Sequence, residues 1–497
     1  MMKYISTRGN YPAVDSAEAI NLGMVPEGGL FVPDAVPQIR FDDLVDASYH
    51  DTALRVLSPL LPDFTSQELR LCVNRAYTPQ SFDTPSIISL VGLKPGVSVM
   101  ELWHGPTAAF KDVALQIMPH FLAIAKMKLG DTHHTVILVA TSGDTGKAAL
   151  EGFSDCEDLS IIVFYPDDGV SEIQKLQMVT TEGMNTHVAA VKGNFDDCQN
   201  GVKDLFADTK LAERLAGEGI TLSSANSINW GRLCPQIVYY IHAYAMLVAH
   251  KTIRPGAPVN FCVPTGNFGN ILAAYYAKRM GLPVRRLLCA SNKNKVLYDF
   301  FTTGTYDCKR RFYRTISPSM DILISSNLER FLFEITGQDA GKIRAWFGDL
   351  AAKGSFTVDA ATKKTMDSLI CPGWVDEAMI VQTIGETYKR HGYVIDTHTA
   401  VAVALEETAG DDGTHTIIDA TASPYKFSRD VVRGIDGTAI NDEFRSIERL
   451  HELTGLPIHR AVKDLRQKPV RHRRSIAVGD MRAAVLSIIK EIKAGGY

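Results

Sequence analysis

The sequence predicts an α/β protein of two lobes with mainly parallel sheets, preceded by a small helical N-terminal unit. Three observations predict it. Short apolar runs such as TVILVA (135–140) and SIIVFY (160–165) alternate with segments of helical period. Such alternation implies βαβ units whose sheets are covered on both faces. It falls into two groups, about 97–250 and 255–445, which sets domains at 1–95, 96–250 and 251–497.

The elements follow in chain order. Residues 43–60 and 66–76 have helical spacing, and VSVMEL (97–102) reads as a strand. Val113, Ile117, Phe121 and Ile124 recur at steps of three or four, so 112–128 is expected to be one helix. TVILVA is a buried strand, SGDTG a turn and GKAALEGF a helix. SIIVFY then leads into the helical SEIQKLQMVT, and HVAAV (187–191) into a long helix from about Phe195 to Leu215. Asn226 to His250 is mostly helical. PVNFCVP (258–264) is a strand, GNFGN a turn and ILAAYYAKRM a helix. VRRLLCA (284–290) and THTIIDA (414–420) are further strands, the latter running into Thr421.

Bulk properties narrow the function classes. The 497 residues, 45% hydrophobic and 22% charged, can bury a large core. A net charge of -4 gives no general electrostatic reason to expect nucleic acid or membrane partners. Eight cysteines stand singly, without a C-x-x-C pair, so no metal site or disulfide framework is expected. The N-terminus lacks the apolar run of a signal peptide. The apolar stretch Ile237 to Val248 is too short to span a bilayer. The expectation is a cytoplasmic protein, monomer or homodimer.

Ligands of open α/β sheets bind at the carboxyl ends of strands. Three turns there could do chemistry. Gly266-Asn267-Phe268-Gly269-Asn270 joins a strand to a helix, and its backbone N–H groups can form a phosphate-sized anion site. An unliganded glycine-rich turn is the alternative. The dinucleotide pattern G-x-G-x-x-G is absent, which counts against a nicotinamide cofactor. Thr141-Ser142-Gly143-Asp144-Thr145-Gly146 offers hydroxyls and a carboxylate for a substrate carboxylate or a cofactor ring substituent, with an unliganded turn the alternative, and it fails the phosphate-loop pattern of nucleotide hydrolases at two positions. Thr421, at the end of an apolar strand, is either a cap or the partner of a cofactor nitrogen. A fourth feature is Lys111, at a turn-to-helix junction among small and aromatic residues. Pyridoxal 5'-phosphate needs a lysine for its Schiff base, an anion cradle and a partner for its ring nitrogen. Lys111, Gly266 to Asn270 and Thr421 could supply them.

HGPTAAFKD (104–112) resembles the cofactor-lysine segment of threonine synthases, members of the fold-type-II pyridoxal phosphate enzymes. YISTRG (4–9), ATSGDTG (140–146), SSANSINWGRL (223–233), PTGNFGN (264–270), SPSMDILISSN (317–327) and ATASPYKF (420–427) match the same family in order. The resemblance implies a tryptophan synthase β-like fold and conversion of O-phospho-L-homoserine and water into L-threonine and phosphate. It implies that Lys111 carries the cofactor, that the GNFGN loop holds its phosphate and that Thr421 faces the pyridine nitrogen. Asp144 stands where related enzymes place an asparagine beside the ring hydroxyl. Arg232 and Asn226 are the expected ligands of the substrate phosphate, with Arg232 as a helix brace the alternative. Ser142 and Thr145 are expected at the substrate carboxylate. His104 is left open between tuning the lysine segment and a structural role, and His398 is expected to pack or cap its helix. The basic run 466–474 is expected to be a solvated loop, and Lys309 to Arg314 is left open between surface charge and substrate attraction.

Overall fold

A computed structural model describes residues 2–410 and 412–495. The N-terminal unit pairs β1 (Tyr4–Ser6) with β2 (Phe31–Pro33), and its helices Ser16–Leu22, Tyr49–Leu60 and Ser66–Ala76 pack on helices Met118–Leu129 and Trp230–Ala249. There follow β3 (Ser89–Lys94), β4 (Val97–Glu101), β5 (His134–Ala140), β6 (Leu159–Pro166), β7 (Thr186–Lys192) and β8 (Ile220–Ser223). The second half supplies β9 (Val259–Pro264), β10 (Val284–Ser291), β11 (Thr305–Asp307), β12 (Ser355–Thr357), β13 (Ile370–Trp374), β14 (His415–Ala420) and β15 (Arg474–Ala477).

Two larger sheets organise the molecule. One has six strands in the order β13-β10-β9-β14-β4-β3, parallel except for the β3–β4 hairpin. The other has five parallel strands in the order β15-β7-β6-β5-β8. The lobes therefore depart from the contiguous division at 96–250 and 251–497. β3 and β4 join the sheet of the second half, and β15 with helix Met481–Gly495 returns to the first. Periodicity reports how a strand is buried and says nothing of its pairing partner, so this exchange has no local signature.

Two expected helices are each divided. The 112–128 stretch forms Lys111–Leu115 and Met118–Leu129, with Pro119 in the first turn of the second. Proline has no N–H to give the carbonyl four residues back, which is that of Leu115. The freed Leu115 carbonyl lies against helix Asp144–Phe153, where a Cβ on Gly152 would stand 2.0 Å from it. The 195–215 stretch divides at Asp208, whose carboxylate caps Thr209–Gly217 by accepting from Leu211 N at 2.9 Å. Capping by a short acidic side chain competes with helix continuation.

The N-terminal unit is locked onto this core by Arg330, which is fully buried. Its guanidinium donates to Phe31 O on β2 at 2.9 Å, to Asn327 Oδ1 at 2.7 Å and to the carbonyls of Ser227 and Ile228. Tyr4 packs on Trp230 with ring centroids 5.3 Å apart.

The contact at Gly152 fixes the spacing of the two helices that carry Lys111 and Asp144. Gly152→Ala is expected to force them apart and cost about 1–3 kcal/mol. A thermal or urea unfolding curve measures it, and an unchanged midpoint would show that the contact does not set the spacing.

Candidate active site

Lys111 begins its short helix from a turn held by the acid beside it. Asp112 is buried, and its oxygens accept from Thr107 N at 2.9 Å and Thr107 Oγ1 at 2.6 Å. Burial pushes this carboxyl up to about 6, against the bonds from Thr107. Only glycine fits at position 105, where a Cβ would stand 2.4 Å from that of Asp112. Ala108 takes a left-handed φ of 61°, a strained conformation for alanine that lets the chain double back. The strand-end segment then clamps the turn. Phe110 N donates to Thr421 O at 2.9 Å, and Ser423 N to Ala108 O at 3.1 Å. Lys111 and Thr421, 310 residues apart in sequence, are thereby one hydrogen-bonded step from each other.

The second turn presents Asp144. Thr141 Oγ1 accepts from the N–H groups of Gly143 and Gly146, each at 2.9 Å, and Gly143 adopts a φ of 135°. Helix Asp144–Phe153 starts there with its carboxylate almost fully buried. Oδ2 lies 3.2 Å from Lys111 Nζ and accepts from Ser319 Oγ at 2.8 Å. Oδ1 lies 2.6 Å from Lys426 Nζ and accepts from Gln174 Nε2 at 2.9 Å. Burial opposes ionisation, but Lys111 and Lys426 together hold Asp144 well below the usual carboxylate range. Burial lowers the pKa of Lys111 from its ordinary value, helped by Lys426 and Arg232 and opposed by Asp144. A neutral amine is the form that attacks an aldehyde.

The third turn lies against the same Ser319. A Cβ on Gly266 would stand 2.8 Å from Ser319 O, while Ser319 Oγ lies 3.4 Å from Lys111 Nζ. Phe268 takes a left-handed φ of 65° and packs its ring between Phe301 and Phe331. The loop then opens helix Gly269–Arg279, in whose first turn Ile271 N donates to Asn270 Oδ1 at 2.9 Å and Leu272 N to Phe268 O at 3.1 Å. Asn270 anchors it by donating to Pro264 O at 3.1 Å, and Asn267 O accepts from Asn327 N at 3.1 Å. Arg330 braces Asn327 in turn.

Of the expected substrate ligands, Arg232 and Thr145 meet, with Nη2 to Oγ1 at 3.5 Å. Arg232 also donates to Ala225 O at 2.8 Å, and burial lowers its pKa to about 10. Asn226 is half-buried in the turn before helix Trp230–Ala249, which Asn229 caps. Ser142 is half-buried beside Gly143. His398 is a brace with one step of reach. Its Nδ1 is 2.7 Å from Asp396 Oδ2, and its Nε2 accepts from Ser319 N at 3.1 Å.

Sequence reasoning passed over Lys426, Gln174, Ser319 and Arg330. Lys426 lies in ATASPYKF, where the sequence alone points to no role for it. Charged residues in the two basic stretches have local partners. Arg310 pairs with Asp299 at 2.6 Å, Arg471 with Glu182 at 3.4 Å and Arg474 with Glu491 at 2.7 Å. The run 466–474 ends in β15 and so is only partly a loop. No helix among the described residues is long and apolar enough to cross a membrane.

Residues 3–77 match the family model "Threonine synthase N terminus", and 82–372 match "Pyridoxal-phosphate dependent enzyme". Threonine synthase of Pseudomonas aeruginosa is 38% identical over 88% of this chain and 91% of its own. The chain belongs to the threonine synthase family. The human protein threonine synthase-like 1 is 37% identical over 96% of this chain, which spans 67% of that relative's length. Two crystal structures share the fold. Pyridoxal-phosphate-bound threonine synthase of Brucella melitensis has a TM-score of 0.85 at 35% identity, covering 96% of this chain and 97% of that one. The yeast enzyme has a TM-score of 0.86 at 30% identity over 99% of both chains. Family members use pyridoxal phosphate, and this chain is a pyridoxal-phosphate-dependent lyase. The residues fit that group: the buried Lys111 amine lies 3.4 Å from Ser319 Oγ, and the Ser319 carbonyl closes on Gly266 of the loop.

His104 lies between two carboxylates, 2.6 Å from Asp83 and 3.0 Å from Glu101. Burial opposes its charge, but hydrogen bonds to Asp83 and Glu101 raise its pKa from 6.5 to about 9. A raised folded-state pKa stabilises fully below the unfolded value and is lost as pH climbs through the folded one. Stability is therefore expected to fall between pH 6.5 and 9, by at most about 3 kcal/mol from this group. His104→Gln should flatten that decline in unfolding curves taken across the window. An equal decline in the variant would assign it to other groups.

Proposed function

We propose that the chain converts O-phospho-L-homoserine and water to L-threonine and inorganic phosphate. The observation that carries this reading is the meeting of Lys111, Asp144 and the GNFGN-supporting Ser319 at one buried point. When bound, pyridoxal phosphate supplies an electron sink for the carbanion at the substrate's α-carbon. Lys111 holds the cofactor and, once displaced by the substrate amine, is the base within reach. Its Nζ takes the proton from Cα, gives it up and, neutral again, takes one from Cβ, and burial favours the neutral amine that each removal requires. Phosphate leaves from Cγ with the bonding electrons, a proton returns to Cγ, water adds its hydroxyl at Cβ, and a proton returns to Cα.

The remaining residues bind and orient. Gly266, Asn267, Phe268, Gly269 and Asn270 direct N–H groups and a helix start at the cofactor's phosphate. Thr421 offers a neutral hydroxyl to the ring nitrogen, and a neutral group does not hold that nitrogen protonated. Asp144 faces the ring hydroxyl. Arg232 and Asn226 bind the substrate phosphate, the guanidinium matching its oxygens bidentately. Ser142 and Thr145 hold the substrate carboxylate at the start of helix Asp144–Phe153. The setting is cytoplasmic, with a small molecule as the substrate and a monomer or homodimer as the working unit.

Incubation with O-phospho-L-homoserine, assaying threonine and phosphate together, is expected to give one phosphate per threonine. Lys111→Ala should lose more than about a thousandfold in rate. Appearance of 2-oxobutyrate or pyruvate without threonine would overturn the assignment in favour of a deaminating lyase of the same fold.

A further inference from the structure

Lys426 is a second lysine in the site, fully buried and beyond the stretch matched by either family model. We infer that Lys426 is the standing counter-ion of Asp144 and a positioning residue that sets how readily the Lys111 amine gives up its proton. This rests on Lys111 being the cofactor lysine.

The geometry divides the Asp144 carboxylate between two cations. Lys111 Nζ approaches Oδ2 at 3.2 Å, and Lys426 Nζ approaches Oδ1 at 2.6 Å. Only one of these cations is permanent. Lys111 condenses with the cofactor aldehyde, forming a C=N bond and releasing water, and becomes a free amine again when the substrate displaces it. A buried carboxylate left without a cation costs several kcal/mol. Lys426 is fixed at its other side by donating to Thr107 O at 3.0 Å, so it stays on Oδ1 throughout. Asp144 keeps a counter-charge whichever form Lys111 takes.

His459, whose pKa burial lowers, faces the Lys426 charge as a further titratable group. Arg232 approaches from helix Trp230–Ala249, and Asp112 is the residue after Lys111. His398 and Asp396 reach the pair through Ser319. None of these touches Oδ1. Removing the Lys426 charge exposes Lys111 to the full field of Asp144 and removes a repelling cation, so the Lys111 proton is held more tightly. Removing the Asp144 charge does the reverse.

The test is the rate at which the cofactor-free full chain captures pyridoxal phosphate, followed by absorbance across pH. The midpoint of that profile reports the Lys111 amine directly. Lys426→Met is expected to move the midpoint up by about one unit, or about tenfold in rate at a fixed lower pH. Asp144→Asn should move it down, and Asp144→Asn with Lys426→Met should return it to within a few tenths of the parent's. The double variant buries two neutral side chains and is the one expected to fold best. If Lys426→Met does not fold, the opposed shifts of Asp144→Asn and the double variant still decide. An unmoved midpoint in Lys426→Met, or no return in the double variant, would make Lys426 a mere strut for the Thr107 turn and overturn the inference. A parent chain that captures no pyridoxal phosphate would instead overturn the reading of Lys111.

Discussion

Asp144 brings together four segments that lie far apart in the chain. Lys111 and Lys426 reach it as cations, and Gln174 and Ser319 as neutral donors, so both carboxylate oxygens are satisfied without water. A buried carboxylate is tolerated only when it is paired and hydrogen-bonded. The Lys111 turn, the helix from Glu172, the Pro318 turn and the Pro424 turn must therefore all close on one point. Displacing any one of them leaves a charge or a polar atom stranded in the interior. That penalty links the order of the site to the stability of the fold.

Close backbone approach makes the convergence possible. Gly105 admits the Asp112 side chain, Gly152 admits the Leu115 carbonyl, and Gly266 admits the Ser319 backbone. Each is a place where a methyl group would push a functional segment away from the centre. Arg330 and His398 work one layer further out, the first on Asn327 behind the GNFGN loop and the second on the Ser319 amide. The site is thus held by packing and hydrogen bonding around the Lys111 amine.

How much of this was legible in the sequence follows from the range of the interactions. The GNFGN loop and the Lys111 turn are local: glycines, a strand before and a helix after signal a βα turn within a dozen residues. Strand-helix alternation likewise signals parallel sheets. Lys426 carries no such signal, because PYKF reads as an ordinary solvated lysine until Thr107 and Asp144 are placed around it. Ser319 and Arg330 matter only through contacts made across the fold. The pairing of β4 with β14, and of β15 with β7, joins strands about 280–320 residues apart, beyond the reach of any periodicity. Pro119 was visible, and its consequence was a helix break that apolar spacing alone concealed.

The central claim is that Lys111, and not the neighbouring Lys426, is the amine that carries pyridoxal phosphate. Borohydride reduction of the cofactor-loaded chain, followed by proteolysis and mass spectrometry, tests it most directly. A phosphopyridoxyl group on Lys111, in the peptide containing AAFKDVAL, is the predicted result. A group on Lys426, or none on either lysine, would contradict it.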